Sequence, residues 1–86
     1  MMPLFFFNQA GAIYDPDVEG IELATISDAR IQAVKFAGEA LRDRPELTWL
    51  GDEYRVEVTD EKQLILFTFV AIAVDAPAAK AMFPKG

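Results

Sequence analysis

Fourteen carboxylates are the main chemical resource of this 86-residue chain, because the sequence contains no histidine and no cysteine. Histidine titrates nearest to neutral pH and is the commonest metal ligand, and cysteine supplies thiolate ligands, nucleophiles and disulfides. Without them, hydrolytic triads, thiol catalysis and zinc sites lack their usual components. We therefore predict a protein that is not an enzyme and that binds no metal ion or cofactor.

The most suggestive acidic segment is Asp15-Pro16-Asp17-Val18-Glu19-Gly20, which resembles the first half of a calcium-binding EF-hand loop. Such a loop needs a bidentate glutamate at its twelfth position, and that position here is Ile26. A turn whose carboxylates accept hydrogen bonds from backbone amides accounts for the same residues. We favour the turn over a calcium site.

Other catalytic patterns are weaker still. Paired acids can hydrolyse glycosides, but fourteen acids on a small domain approach one another by chance on solvated faces. Ser27, the single serine, falls in the first turn of a predicted helix with no histidine to activate it. The glycines are too scattered to cradle a phosphate. No catalytic residue is predicted.

Charge and hydropathy limit the partners. The chain has 8 Lys and Arg residues against 14 Asp and Glu, a net charge of −6, whereas nucleic acids and anionic membranes attract basic proteins. The apolar run Leu64–Val74 is far shorter than the ~20 residues of a membrane-spanning helix, and Leu4–Phe7 is too short for a signal peptide. We expect a cytoplasmic protein without nucleic-acid or membrane partners.

Element signals predict an α+β domain with the order ββαββ. Predicted strands cover residues 4–7, 12–14, 54–58 and 63–71, and the alternation of Tyr54–Val58 is the clearest of them. Thr25 is a good N-cap for a helix over Ile26–Asp43. We assign residues 1–74 to one domain and 75–86 to an Ala/Pro-rich tail, which either forms a helical turn near Pro77–Met82 or stays loose.

We predict a four-stranded, largely antiparallel sheet with the order 2-1-4-3 in chain numbering and the long helix on one face. The first and fourth strands are the most apolar and are placed in the centre. The third strand carries Arg55 and Glu57 outward, which suits an edge.

The open face of that sheet is the candidate interface. Alternation turns one set of side chains toward the alanine-lined helix, namely Phe5, Phe7, Ile65, Phe67 and Phe69. The opposite set remains without a helix to cover it: Leu4, Phe6, Leu64, Leu66 and Val70. An apolar patch of this kind usually marks an interface, so we predict a homodimer through it. The alternative is that the tail folds back over the patch through Ala79, Met82 and Phe83.

Trp49 has two interpretations. It either closes the open end of the core, which we favour, or forms an exposed recognition pair with Tyr54. The leading function is protein–protein association. Two competitors are an acidic mimic that occupies a basic site on a partner, and a small-molecule binder with an apolar pocket near Trp49.

Several short motifs carry a family resemblance over residues 3–70. They are Pro3-Leu4-Phe5-Phe6-Phe7, Gly11, Asp15, Glu19-Gly20-Ile21-Glu22-Leu23, the alanine-spaced helix, and Val56-Glu57-Val58-Thr59-Asp60 before an apolar strand. In these the chain resembles a family of short bacterial proteins classed as a domain of unknown function. Members often have a histidine where this chain has Asn8. The resemblance implies a fold class and no activity.

Overall fold

The computed structural model describes residues 2–51 and 53–84. Strand β1 spans Leu4–Ala10, β2 Ile21–Glu22, helix α1 Ile26–Asp43, a 3₁₀ turn Pro45–Thr48, β3 Tyr54–Thr59, β4 Ile65–Ala71 and helix α2 Pro77–Met82. The four strands form one antiparallel sheet, and α1 lies on one face of it. The predicted α+β class, with a four-stranded sheet and one long helix, is confirmed.

The order of the strands is β2-β1-β3-β4. Strand β3 pairs with β1 through Phe7 opposite Val58, and with β4 through Val58 opposite Phe67. The prediction that the apolar strand at residues 63–71 adjoins β1 is therefore wrong, because β3 lies between them and β4 is at the edge.

The burial of β3 explains this correction. Tyr54, Val56 and Val58 face the helix and are fully buried, so β3 forms the centre of the core. Its outward residues Arg55 and Glu57 do not require an edge position, because an antiparallel sheet covered on one side leaves the other face of its central strands in water. The charges on β3 indicated which face is solvated, and not which strand is at the edge.

The second strand also differs from its prediction. Residues 12–14 bend instead of forming a strand, and Asp15 makes an isolated bridge with Gln9. The strand that pairs with β1 is Ile21–Glu22. The first turn requires glycine at position 11. The φ of Gly11 is 121°, and a Cβ there would lie 2.5 Å from the Glu53 carbonyl oxygen, so both the backbone conformation and the available space exclude a side chain.

Helix α1 has the bounds and the cap that its sequence predicts. The Thr25 hydroxyl accepts a hydrogen bond from the Asp28 amide at 3.1 Å. Its buried residues Ala29, Ala33 and Ala37 let the helix lie close to the sheet. The core also contains the predicted inward residues of β1, Phe5 and Phe7, whereas Ile26, the first residue of the helix, is exposed.

The C-terminal segment makes the molecule elongated. Helix α2 has the predicted bounds and buries none of its residues. The radius of gyration is 15.4 Å, with extents of 56 × 21 × 21 Å, whereas a compact domain of this length has a radius of gyration of about 12 Å. Met82 and Phe83 are exposed, so the tail does not cover the open face of the sheet. In the described part of the chain, no helix has the length and apolarity to cross a bilayer.

Candidate functional site

The predicted interface residues lie in two groups, one on β1 and one at β4. Leu4 and Phe6 are half-buried on β1. Gly20, which lies where the loop after β1 returns to the sheet, is close to both: a Cβ on Gly20 would lie 3.0 Å from Leu4 Cγ and 3.1 Å from Phe6 Cε2. The loop thus covers part of this group.

Strand β3 separates the two groups with polar side chains. Arg55 and Glu57 share the open face and form an ion pair, with 3.4 Å between Arg55 Nε and Glu57 Oε2. Asn8 and Thr68 lie opposite Glu57 on the two neighbouring strands, so a polar row crosses the sheet. The continuous apolar patch expected from adjacent first and fourth strands is not formed, because the strand order differs.

The β4 group is the more exposed one. Leu66 and Val70 are 40% and 42% exposed, and Leu64 in the preceding turn is exposed further. The exposed apolar residues continue beyond the strand with Ile72 and Val74. The exposure of these last two residues was not predicted from the sequence, although the uncharged run from Leu64 to Val74 was a visible signal.

Ile65 departs from its predicted face. Thr59 lies opposite Ile65 while Val58 lies opposite Phe67, so Leu66 is an extra residue and forms a β-bulge. The bulge interrupts the alternation of side chains. Ile65 therefore lines a groove on the open face together with Phe6 and Thr59, and not the core beneath α1. Phe67 and Phe69 pack against the core as expected.

The groove has a volume of about 470 Å³ and lies between the loop after β1 and the β3–β4 turn. Its lining is mixed, with the acids Asp17, Glu57, Asp60 and Glu61 beside apolar and neutral side chains. The backbone amides of Lys62 and Leu64 donate to the Asp60 carboxylate, so Asp60 organises the turn.

Asp17 anchors the loop on β1. Its carboxylate accepts hydrogen bonds from the amides of Phe7 at 3.1 Å, Glu19 at 3.0 Å and Gly20 at 3.1 Å. Partial burial by itself raises the pKa of Asp17, but the three hydrogen bonds outweigh it and hold the pKa below its usual range. The preference for a backbone-capping turn over a calcium loop at this position agrees with these contacts.

Asn8 completes the anchor. Its side-chain Oδ1 accepts from the Asp17 amide at 2.9 Å, and its Nδ2 donates to the Glu57 carbonyl at 3.0 Å. Asn8 thus connects the loop, β1 and β3. Asn8, Asp17 and Gly20 each stand out in the sequence, but their proximity depends on how the loop returns to β1.

The two aromatic residues considered for recognition have different environments. Trp49 is 58% exposed, so the prediction that it closes the core is wrong, and Leu47 of the 3₁₀ turn is buried there instead. Tyr54 is 1% exposed, which also excludes an exposed Trp49–Tyr54 pair. Trp49 does not line the groove.

Tyr54 has a structural hydrogen bond. Its hydroxyl donates to Gln9 Oε1 at 2.9 Å, and Gln9 Nε2 donates to Asp15 at 3.2 Å. Burial, and secondarily the negative charge of Asp15, raise the pKa of Tyr54. Across residues 2–51 and 53–84, no three Asp, Glu, His or Cys side chains gather as a group able to hold a metal ion.

Comparison with known proteins gives a family and no activity. The family model described as "Domain of unknown function (DUF6894)" matches residues 4–72. No curated protein and no solved structure matches the chain. The matched range includes β1, the anchored loop, α1, β3 and β4. The chain therefore belongs to the DUF6894 family of domains of unknown function.

Proposed function

We propose that this domain acts by protein–protein association as a homo-oligomer, and not by catalysis. The observation that carries the proposal is the exposed apolar surface of β4 and the segment after it, which includes Leu66, Val70, Ile72 and Val74. Contiguous exposed apolar surface on a small domain usually marks an interaction site.

The arrangement of the fold supports this proposal. Helix α1 packs on the centre of the sheet, where β1 and β3 supply the fully buried strand residues. Edge strand β4 receives less cover: Phe67 and Phe69 on the helix side are half-buried, and Leu66, Thr68 and Val70 are exposed. A second protein surface against β4 would bury apolar area that this chain leaves in water, at roughly 25 cal/mol per Å².

A non-enzymatic role fits the chemistry of the titratable groups. The chain contains no histidine or cysteine, and within residues 2–51 and 53–84 the two groups with shifted pKa values have structural partners. Asp17 is engaged by backbone amides and Tyr54 by Gln9. The cysteine-free composition suits the reducing cytoplasm, where we expect the domain to act.

Light scattering on the full chain tests association. We expect a concentration-dependent mass above 9.6 kDa, and a return to that mass in Leu66→Glu, because a carboxylate would be buried in the interface. Ile31→Glu is the matched control, since Ile31 is also an exposed aliphatic residue but lies on α1. A monomer at high concentration would contradict the proposal, as would equal effects of the two variants.

A second candidate function is an acidic mimic that occupies a basic site on another protein. The acids that line the groove, Asp17, Glu57, Asp60 and Glu61, favour it together with the net charge of −6. Such a complex would weaken steeply between low and high salt, whereas an apolar association would not. Titration with a cationic peptide at two salt concentrations separates the two candidates.

A further inference from the structure

We propose that two copies of this chain pair along their β4 edges, antiparallel, about a two-fold axis that lies midway between their two Thr68 residues and perpendicular to the sheet. The result is one continuous eight-stranded sheet with both α1 helices on the same face. This inference rests on the proposed function and deepens it by naming the partner, the contact strand and its register.

The outer edge of β4 is open to pairing. Among the described residues, β3 is the single strand hydrogen-bonded to β4, so one row of its backbone amides and carbonyls has no strand partner. Exposed edges are usually protected by charge, proline or strong irregularity. The segment Ile65–Ala71 contains no charged residue and no proline, and its bulge at Leu66 leaves Phe67–Ala71 in regular register.

The side chains of β4 are symmetric about Thr68, and this symmetry identifies the occupant as a second copy. A two-fold interface brings the same surface of each copy together, so it must be complementary to itself. Pairing about Thr68 sets Phe67 opposite Phe69 of the second copy and Thr68 opposite itself, and all three residues lie in the regular part of the strand. Aromatic and threonine pairs of these kinds each stabilise antiparallel strands.

Over Phe67–Phe69 the faces of the sheet match in this register. Phe67 and Phe69 lie on the helix side, so their cross-strand pairs would extend the apolar layer beneath the two α1 helices. Thr68 lies opposite Glu57 and therefore on the open side. No charged residue of either copy lies within the paired strands, so the net charge of −6 on each chain is kept out of the contact.

The segment after β4 extends the same contact. Ile72 and Val74 follow the strand directly, and both residues are exposed in the single chain. A six-residue helix such as α2 has little stability in isolation, and here it buries none of its residues. Pairing through β4 brings this segment alongside the β3–β4 turn of the second copy, against which its apolar side chains can pack.

Cysteine cross-linking of the full chain tests the register, because the natural sequence has no cysteine. Directly opposed residues in antiparallel strands have Cα atoms about 4.5–5.5 Å apart, within the range of a disulfide. We expect Thr68→Cys to form a covalent dimer under mild oxidation. In Val70→Cys, the matched control, the two cysteines would be about 13 Å apart along the strands and should not join.

Thr68→Lys supplies a second measurement that does not depend on oxidation. Thr68 is exposed and lies opposite Glu57, so a lysine is compatible with the single chain. In the dimer two lysines would face each other at the axis, and we expect the dissociation constant to rise at least roughly tenfold by sedimentation. Ile31→Lys, on α1, should leave it unchanged.

The outcomes separate this inference from the proposed function. Preferential cross-linking of the Thr68→Cys variant, with weakened dimerisation in Thr68→Lys, supports the β4 register. A dimer in which Val70→Cys cross-links as readily as Thr68→Cys, or which tolerates Thr68→Lys, overturns the register and leaves association standing. A chain that stays at 9.6 kDa at high concentration overturns both.

Discussion

Gly20 is the residue at which the loop after β1 comes closest to the sheet. Its φ is 75°, and a Cβ there would lie 3.0–3.1 Å from Leu4, Phe6 and the Phe5 carbonyl. We expect Gly20→Ala to lower the free energy of unfolding by about 2 kcal/mol, measured by urea denaturation. Gly38→Ala is the matched control, because Gly38 is helical and has no atom near its Cβ position. This variant should have a free energy of unfolding higher by about 1 kcal/mol. Equal effects at both positions would contradict this account.

Asp17 shows how one carboxylate can stabilise a whole loop. Removing its three hydrogen bonds in Asp17→Ala should cost about 2 kcal/mol of unfolding free energy at pH 7. Since its folded-state pKa is lowered, this contribution is present above about pH 4 and is lost as the pH falls through the folded-state value.

The measurement for Asp17 is a difference between two proteins, because many other acids titrate in the same range. Urea midpoints of the natural chain and of Asp17→Ala should differ at about pH 7 and converge below about pH 4. Glu39→Ala, an exposed change on α1, should show no such convergence. A difference that stays constant with pH would contradict the role given to the Asp17 carboxylate.

At the scale of the element, α1 depends on small side chains along its buried face. Ala33 is 1% exposed against the sheet, so Ala33→Leu must push the helix away from the sheet. We expect the free energy of unfolding, measured by urea denaturation, to fall by about 2–3 kcal/mol, as is typical of overpacked cores. Ile31→Leu on the exposed face of the same helix should change stability by less than about 0.5 kcal/mol. A tolerated Ala33→Leu would show that the contact between α1 and the sheet is loose.

At the scale of the whole molecule, charge and association act in opposite directions. Each chain carries −6, so two copies repel, while the proposed β4 contact contains no charge. Added salt should therefore strengthen the dimer a few-fold between about 20 and 300 mM NaCl, because it screens the repulsion. Sedimentation at the two salt concentrations measures this. A dimer that dissociates as salt is added would indicate charged contacts instead.

Local features of the chain were determined by the sequence itself. The bounds of α1 follow from the Thr25 cap and from Pro45, which disfavours helical backbone at Arg44. The turn at Asp17 and the inward-facing Phe5 and Phe7 also depend on interactions close in sequence or on simple alternation. The class of the fold follows from the sum of such signals.

Tertiary structure decided which strands are neighbours, and the candidate surface depends on that choice. Hydrophobicity suggested that β4 is central, but β3 fills the core because its three inward residues pack beneath α1, while its Arg55 and Glu57 lie partly exposed on the open face. That pairing splits the patch expected on the open face and leaves β4 at the edge. The bulge at Leu66 and the exposure of Trp49 likewise depend on partners distant in sequence, which no local pattern specifies.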